Sequence, residues 1–205
     1  NLSWTKDNKY LFVAEVNRGQ NHMWLNVYDA SSGKFIRTLF EEENDKWIEP
    51  EHPAYVLEGK SNEFIWISER DGYNNLYHYN FEGVLINQLT SNEFVVKDII
   101  DYKNGKVFFT ATGESPLDTK LFNVTLKGKQ SEVTRLAGTH DVSISTNGKY
   151  FHDQYSSHDV ASRDLIINSS GKILEALMES SDMLSEMKIG EAEISSISAN
   201  DGTKL

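Results

Sequence analysis

The chain has 205 residues and no Cys, so any chemistry it performs must come from Ser, His, Asp, Glu and their neighbours. Disulfide frameworks, thiolate metal sites and a cysteine nucleophile are excluded. A serine hydrolase needs its nucleophile on a sharp strand-to-helix turn, written G-x-S-x-G. Gly113-Glu114-Ser115-Pro116-Leu117 and Gly59-Lys60-Ser61-Asn62-Glu63 come nearest, and both lack the final glycine. Gly59-Lys60-Ser61 also matches the end of a phosphate loop, but Ala54 stands where the earlier glycine belongs. His-Asp pairs occur at His140-Asp141, His152-Asp153 and His158-Asp159. Metal hydrolases present such pairs from a helical frame, whereas these fall at strand edges and in loops, where they serve as polar edge chemistry. Asp71-Gly72 is a hairpin turn, since the ligand ladder of a calcium loop is missing. Asn123-Val124-Thr125 and Asn168-Ser169-Ser170 fit the glycosylation acceptor pattern, which is common by chance. No catalytic residue is assigned within the chain, and no metal or cofactor is expected.

Charge is unevenly placed. Asp and Glu number 31 against 20 Lys and Arg, a formal net charge of −11. A phosphate backbone is gripped by concentrated Lys and Arg, so nucleic acid is not an expected partner. Between Glu41 and Glu51 six acids (Glu41, Glu42, Glu43, Asp45, Glu49, Glu51) face one base, Lys46. This stretch reads either as a solvated loop or as a surface that attracts cationic peptide termini. No apolar run approaches the roughly 18–20 residues needed to span a bilayer. With no starting Met and no basic-then-apolar leader, the chain reads as an excised or mature segment.

The elements that position these residues repeat. A first apolar strand recurs at Tyr10-Leu11-Phe12-Val13, Phe64-Ile65-Trp66-Ile67, Val107-Phe108-Phe109-Thr110 and Tyr150-Phe151. A second follows at Trp24–Tyr28, Leu76–Tyr79, Leu121–Val124 and Leu165–Ile167. A turn glycine and a last strand close each unit, with Gly33, Gly83, Gly128 and Gly171 spaced by 50, 45 and 43 residues. Periods in the forties built from short aromatic and β-branched strands are those of β-propeller blades. The predicted fold is all-β: a β-propeller of about four four-stranded blades forming an open arc of a larger ring. From Ile173 to Met187, apolar side chains fall near a 3.6-residue period, which predicts short helical turns near 173–188. The partial propeller is expected over 1–193. Residues 194–205 should be a final strand, a hairpin awaiting its second arm. An arc leaves two blade faces uncovered, so self-association through the terminal blades is expected.

The run Asn17-Arg18-Gly19-Gln20-Asn21, with Leu25-Asn26-Val27-Tyr28-Asp29 and Ser31-Ser32-Gly33-Lys34, resembles a late propeller blade of the dipeptidyl peptidase IV family. Pro53-Ala54-Tyr55 followed by Phe64-Ile65-Trp66-Ile67-Ser68-Glu69-Arg70-Asp71-Gly72-Tyr73-Asn74-Asn75-Leu76-Tyr77 resembles the next blade more specifically. Gly138–Ser145 is similar to the following inner strand, and Asn200–Leu205 to the handover toward the peptidase domain. The resemblance implies an eight-bladed propeller paired with an α/β-hydrolase domain whose Ser, Asp and His lie beyond Leu205. It implies a serine-type enzyme that removes dipeptides from peptide N-termini, while this 205-residue segment alone should be inactive. The family's paired amine-binding glutamates lie in an earlier blade, and Glu41-Glu42-Glu43 lacks their helical context. Lys46-Trp47-Ile48-Glu49-Pro50 aligns with a loop lining extended substrate subsites, which makes Trp47, Ile48 and Glu49 the substrate-adjacent candidates. The resemblance implies that Trp47 or Ile48 touches the substrate's second residue; the alternative is that Trp47 packs between blades. The expected partners are peptide substrates and the hydrolase domain, and the expected compartment is periplasmic or secreted. The competing reading is a non-catalytic propeller scaffold that binds protein or glycan, since fold does not fix function.

Overall fold

Strands that alternate their apolar residues bury one face, while strands apolar at every position are buried on both. The two kinds divide this chain into outer and inner sheets. The computed structural model describes residues 1–60, 62–183, 186–188, 190 and 195–205. The first sheet is β1 (Leu2–Trp4), β2 (Tyr10–Val16), β3 (His22–Asp29) and β4 (Phe35–Glu43). The second is β5 (Tyr55–Val56), β6 (Glu63–Ser68), β7 (Asn75–Asn80) and β8 (Leu85–Gln88). The third is β9 (Val96–Lys103), β10 (Lys106–Ala111), β11 (Lys120–Thr125) and β12 (Gln130–Glu132). The fourth is β13 (Thr139–Ile144), β14 (Tyr150–Ser157), β15 (Val160–Asn168) and β16 (Ile173–Glu179). In every sheet the strands lie in chain order and pair antiparallel.

The cores lie between sheets. Phe64, Trp66 and Tyr79 of the second sheet pack against Phe12, Met23, Leu25 and Leu39 of the first. Ile65 and Ile67, on the other face of β6, pack against Val96, Val107 and Phe109 of the third sheet. Phe108, facing away from Phe109, meets Phe151, Leu165 and Ile167 of the fourth. Three cores for four sheets make an open arc. β6 and β10 are accordingly buried at all but their first residue, whereas β2 buries only Phe12. The first strands adjoin one another along the inner edge: β1 lies against β5 and β9 against β13. Tyr55 of β5 donates from its hydroxyl to Asp101 of β9 at 2.9 Å.

Two turn designs recur. In Thr5-Lys6-Asp7-Asn8-Lys9-Tyr10, Thr5 Oγ1 donates to Asp7 and accepts from the Tyr10 amide. Ser145, Asn147 and Tyr150 repeat the same bonds in the fourth sheet. The second design places a glycine at φ +82° (Gly83) or +81° (Gly171), in the left-handed region. Close approach adds to this requirement, since a Cβ at Gly83 would stand 1.8 Å from the Leu39 carbonyl oxygen of the preceding sheet. At Gly171 it would stand 2.0 Å from that of Val133.

Residues 173–179 are a strand, which corrects the helical expectation. β16 pairs with β15 through two bulges, at which Leu174 and Leu177 are the extra residues. Each bulge puts two apolar residues side by side in sequence, so the doublets 173–174 and 177–178 imitate a helical period. The same bulge falls three residues after the turn glycine in β4 (Ile36) and β8 (Ile86). Residues 184 and 185 of the expected helical segment lie outside the described residues, as do 189 and 191–194 around the expected boundary. The terminal hairpin already holds both arms: Ile197 and Leu205 exchange backbone hydrogen bonds of 3.0 and 2.8 Å around a turn at Gly202. Among the described residues, no helix is long and apolar enough to cross a membrane.

Gly83→Ala should lower unfolding free energy by about 2–4 kcal/mol, combining positive-φ strain with a backbone clash. Gly33→Ala, at φ +66° with no heavy atom within 4 Å of its Cβ position, should cost only about 1 kcal/mol. Denaturant titration of the two variants checks the difference, and equal losses would contradict the inter-sheet role of the turn.

Candidate functional site at the loop face

Because antiparallel strands reverse at each turn, the second-to-third turns and the sheet-to-sheet crossovers emerge on one face of the arc. The tight glycine turns emerge on the other. The crossover 44–54 leaves the end of β4 and crosses this loop face to reach β5. It is pinned at its start, where the Asn44 amide donates to Asn21 and the Ile48 amide to Gln20, at 3.1 and 2.6 Å.

Glu41, Glu42 and Glu43 belong to β4 and not to the loop, so alternation turns Glu42 inward and its two neighbours outward. Glu42 accepts from Trp66 Nε1 and from Ser68 Oγ, each at 3.0 Å, and pairs with Arg70. Arg70 also donates to Tyr79 Oη at 2.7 Å, and its guanidinium stands 4.2 Å from the centroid of the Tyr77 ring. Burial opposes the charge on Arg70, but Glu42 and Tyr79 outweigh it and hold the group above its ordinary value. Tyr77 donates in turn to Asp71 at 2.7 Å, and burial followed by that carboxylate pushes its hydroxyl up. The network stitches the outer strand of one sheet to the β6–β7 turn of the next. It forms a fixed wall for a narrow cleft that also includes Ile48, Glu49 and Glu69.

Of the three residues the sequence offers as substrate-adjacent, the structure separates one from the others. Ile48 is 6% exposed and packs in the core between the first two sheets. Its packing fixes the loop, although it also lines the cleft. Trp47 is 56% exposed, so it does not fill a gap between blades, and Glu49 is exposed beside it. Ile48 is thus the anchor that holds Trp47 and Glu49 outward. Glu69 lines the same cleft, and among the described residues its carboxylate has no hydrogen-bond or ion-pair partner, while its carbonyl accepts from the Gly72 amide at 2.7 Å. Burial, then the charges of Glu49, Glu51 and Glu42, raise its pKa above the ordinary 4.5.

The His-Asp pairs sort by strand geometry. Sequence neighbours on a strand face opposite sides, so His140 turns away from Asp141 and its Nδ1 meets Asp153 at 2.9 and 3.0 Å, both side chains buried. Its Nε2 donates to the Leu136 carbonyl at 3.0 Å, tying the crossover before β13 to β14. This is a structural clamp. Ser115 Oγ accepts from the Leu117 amide in a turn, and Ser61 lies outside the described residues. Asn123 is buried on β11 and Asn168 Oδ1 organises the 168–172 turn, so neither acceptor pattern marks a free amide loop. A further group the sequence reading passed over is His22 with Glu41 and Glu43, on the outward side of β3 and β4. Glu42 and Arg70 were also missed; the signal was a lone acid of the 41–43 run placed, by period 2, on the buried side.

The family model for the dipeptidyl peptidase IV N-terminal region matches residues 1–162. A probable dipeptidyl-aminopeptidase B of Arthroderma otae is 28% identical over 216 aligned positions, covering 95% of this chain and 23% of the relative. One from Tuber melanosporum is 32% identical over 167, covering 70% and 18%. A crystal structure from Bacteroides ovatus, provisionally described as a dipeptidyl aminopeptidase IV, superposes with a TM-score of 0.91 at 28% identity, covering all of this chain and 32% of that one. Porphyromonas gingivalis dipeptidyl peptidase 4 gives 0.84 at 21%, a likeness of fold. The chain thus spans about a quarter of the curated relatives and a third of the solved structures it matches.

Removing the Glu69 charge should stabilise the chain at neutral pH, because ionisation is harder for this group in the fold than in the unfolded chain. A raised folded pKa means stability declines as pH rises from about 4.5 through the folded value, and the decline persists above it. Glu69→Gln should therefore gain up to about 1 kcal/mol at neutral pH and nothing below pH 4, where both states are protonated. Denaturant titrations at the two pH values check this; a loss of stability at neutral pH would show that Glu69 has a stabilising partner.

Proposed function

The chain belongs to the family of dipeptidyl peptidase IV N-terminal regions, and from that premise we propose that it forms the later part of the propeller of a serine exopeptidase. In this reading the intact protein removes dipeptides from peptide N-termini. This chain forms part of the wall that admits and orients the peptide, and a separate α/β-hydrolase domain carries out bond cleavage. The observation that carries it is the 44–54 crossover: a loop fixed by Ile48 in the core and by the Glu42–Arg70 network, holding Trp47 and Glu49 open to solvent. A rigid wall suits the task. Held in one orientation, a peptide has already lost much of the freedom that would otherwise add to the barrier, and no catalytic group on the wall is required. Trp47 offers an apolar surface for a side chain near the peptide's N-terminus, and the acids Glu49, Glu51 and Glu69 favour its protonated amine.

Trp47→Ala in the intact protein should raise KM toward an X-Pro peptide by about 3–10-fold, equivalent to roughly 1 kcal/mol of lost contact, and leave kcat unchanged. Steady-state kinetics check this. An unchanged kcat/KM would remove the crossover from the substrate path.

A further inference from the structure

We propose that His22, Glu41 and Glu43 form a zinc site where β3 and β4 reach the loop face. Register brings them together: His22 stands directly opposite Glu43 across the ladder, and Glu41, two residues back, projects from the same side of β4. One ligand atom from each lies within 4.8 Å of the others. His22 Nε2 is 2.7 Å from Glu41 Oε2, and Nδ1 is 3.1 Å from Glu43 Oε1. The imidazole is not merely a solvated side chain that has drifted toward acids. It stacks on Trp24 with centroids 3.8 Å apart and planes 24° from parallel, and only 21% of its side chain is exposed. The strand pair thus presents a ligand ring already fixed in orientation, between two carboxylates free to adjust, at 51% and 72% exposure.

Charge points the same way. Among the described residues neither carboxylate forms an ion pair with Lys or Arg, and His22 is the sole partner of both. The two carboxylates meet only the imidazole, one at each ring nitrogen, and a divalent ion held between them would balance their charge more fully. One ring nitrogen and one oxygen from each carboxylate match zinc, which takes nitrogen at about 2.0–2.1 Å and carboxylate oxygen at about 2.0–2.2 Å in tetrahedral geometry. Magnesium and calcium prefer oxygen-only shells of six or more ligands and gain little from the ring. Three protein ligands leave a fourth position for water, toward the open groove of about 750 Å³ that His22 and Glu43 line with Asn44, Asp45 and Lys46. Bound there, the ion clamps β3 to the end of β4 where the chain departs toward Trp47. The proposal is independent of any reading of the peptidase reaction.

The test is equilibrium dialysis of the intact protein, stripped with a chelator, against zinc chloride at neutral pH, with metal quantified per chain. The expected result is one zinc ion that is lost in both His22→Gln and Glu43→Gln, with affinity falling by more than the roughly 10–100-fold that loss of a merely supporting residue costs. Zinc should also raise the thermal midpoint of the wild type and not of Glu43→Gln, a surface change whose metal-free midpoint should match the wild type. Unchanged zinc stoichiometry and affinity in Glu43→Gln would overturn the site. So would displacement of the ion by equimolar magnesium, which would mark a diffuse acidic patch without the ring.

Discussion

Each sheet in this protein finds its hydrophobic core only against the next sheet. A four-stranded antiparallel sheet has no interior of its own, and the large buried side chains here (Trp66, Phe64, Phe12, Phe108, Phe109, Phe151) all point across a seam. That constraint explains why β6 and β10 are buried at consecutive positions while β14 alternates and β2 buries only Phe12. It also explains why turn glycines at 83 and 171 are needed beyond their φ angles: adjacent sheets approach until backbone meets backbone. Burial of this kind contributes roughly 25 cal/mol per Å² of apolar surface, so the seams, more than the ladders, decide whether the arc holds together.

The loop face inherits its rigidity from the first seam. Glu42 is turned inward by strand alternation, and there it finds Trp66, Ser68 and Arg70 of the neighbouring sheet. A partly buried acid of this sort is tolerable because every oxygen has a donor and the guanidinium lies over an aromatic face. Its neighbours Glu41 and Glu43, turned outward by the same alternation, meet His22 instead. One strand of three consecutive acids thus serves two surfaces, and the crossover that follows is held between them.

Much of this was legible in the sequence, and the failures have physical causes. The repeat spacing and aromatic strands gave the blades, their order and the open arc, because seam burial writes itself into residue type. The fourth-sheet outer strand imitates a helix in the sequence because bulges at Leu174 and Leu177 convert a period of two into something close to 3.6. In the 46–50 loop the sequence does not distinguish Ile48 from Trp47 and Glu49, since nothing in its type marks it as the residue packed in the core. His140 stands beside Asp141 in sequence but pairs with Asp153, a partner that only strand register supplies. The Glu42–Arg70 pair, 28 residues apart across a seam, leaves no local trace at all.

Amide hydrogen exchange, read strand by strand on this chain, tests the seam constraint most directly. If the cores lie only between sheets, β6, β7, β10 and β11, covered on both faces, exchange slowest, and β2, β14 and β15, covered on one, exchange faster although their ladders are as long. Equal protection across all of these strands, or slower exchange in β14 and β15 than in β10, would show that each sheet is stable in itself and would contradict the account.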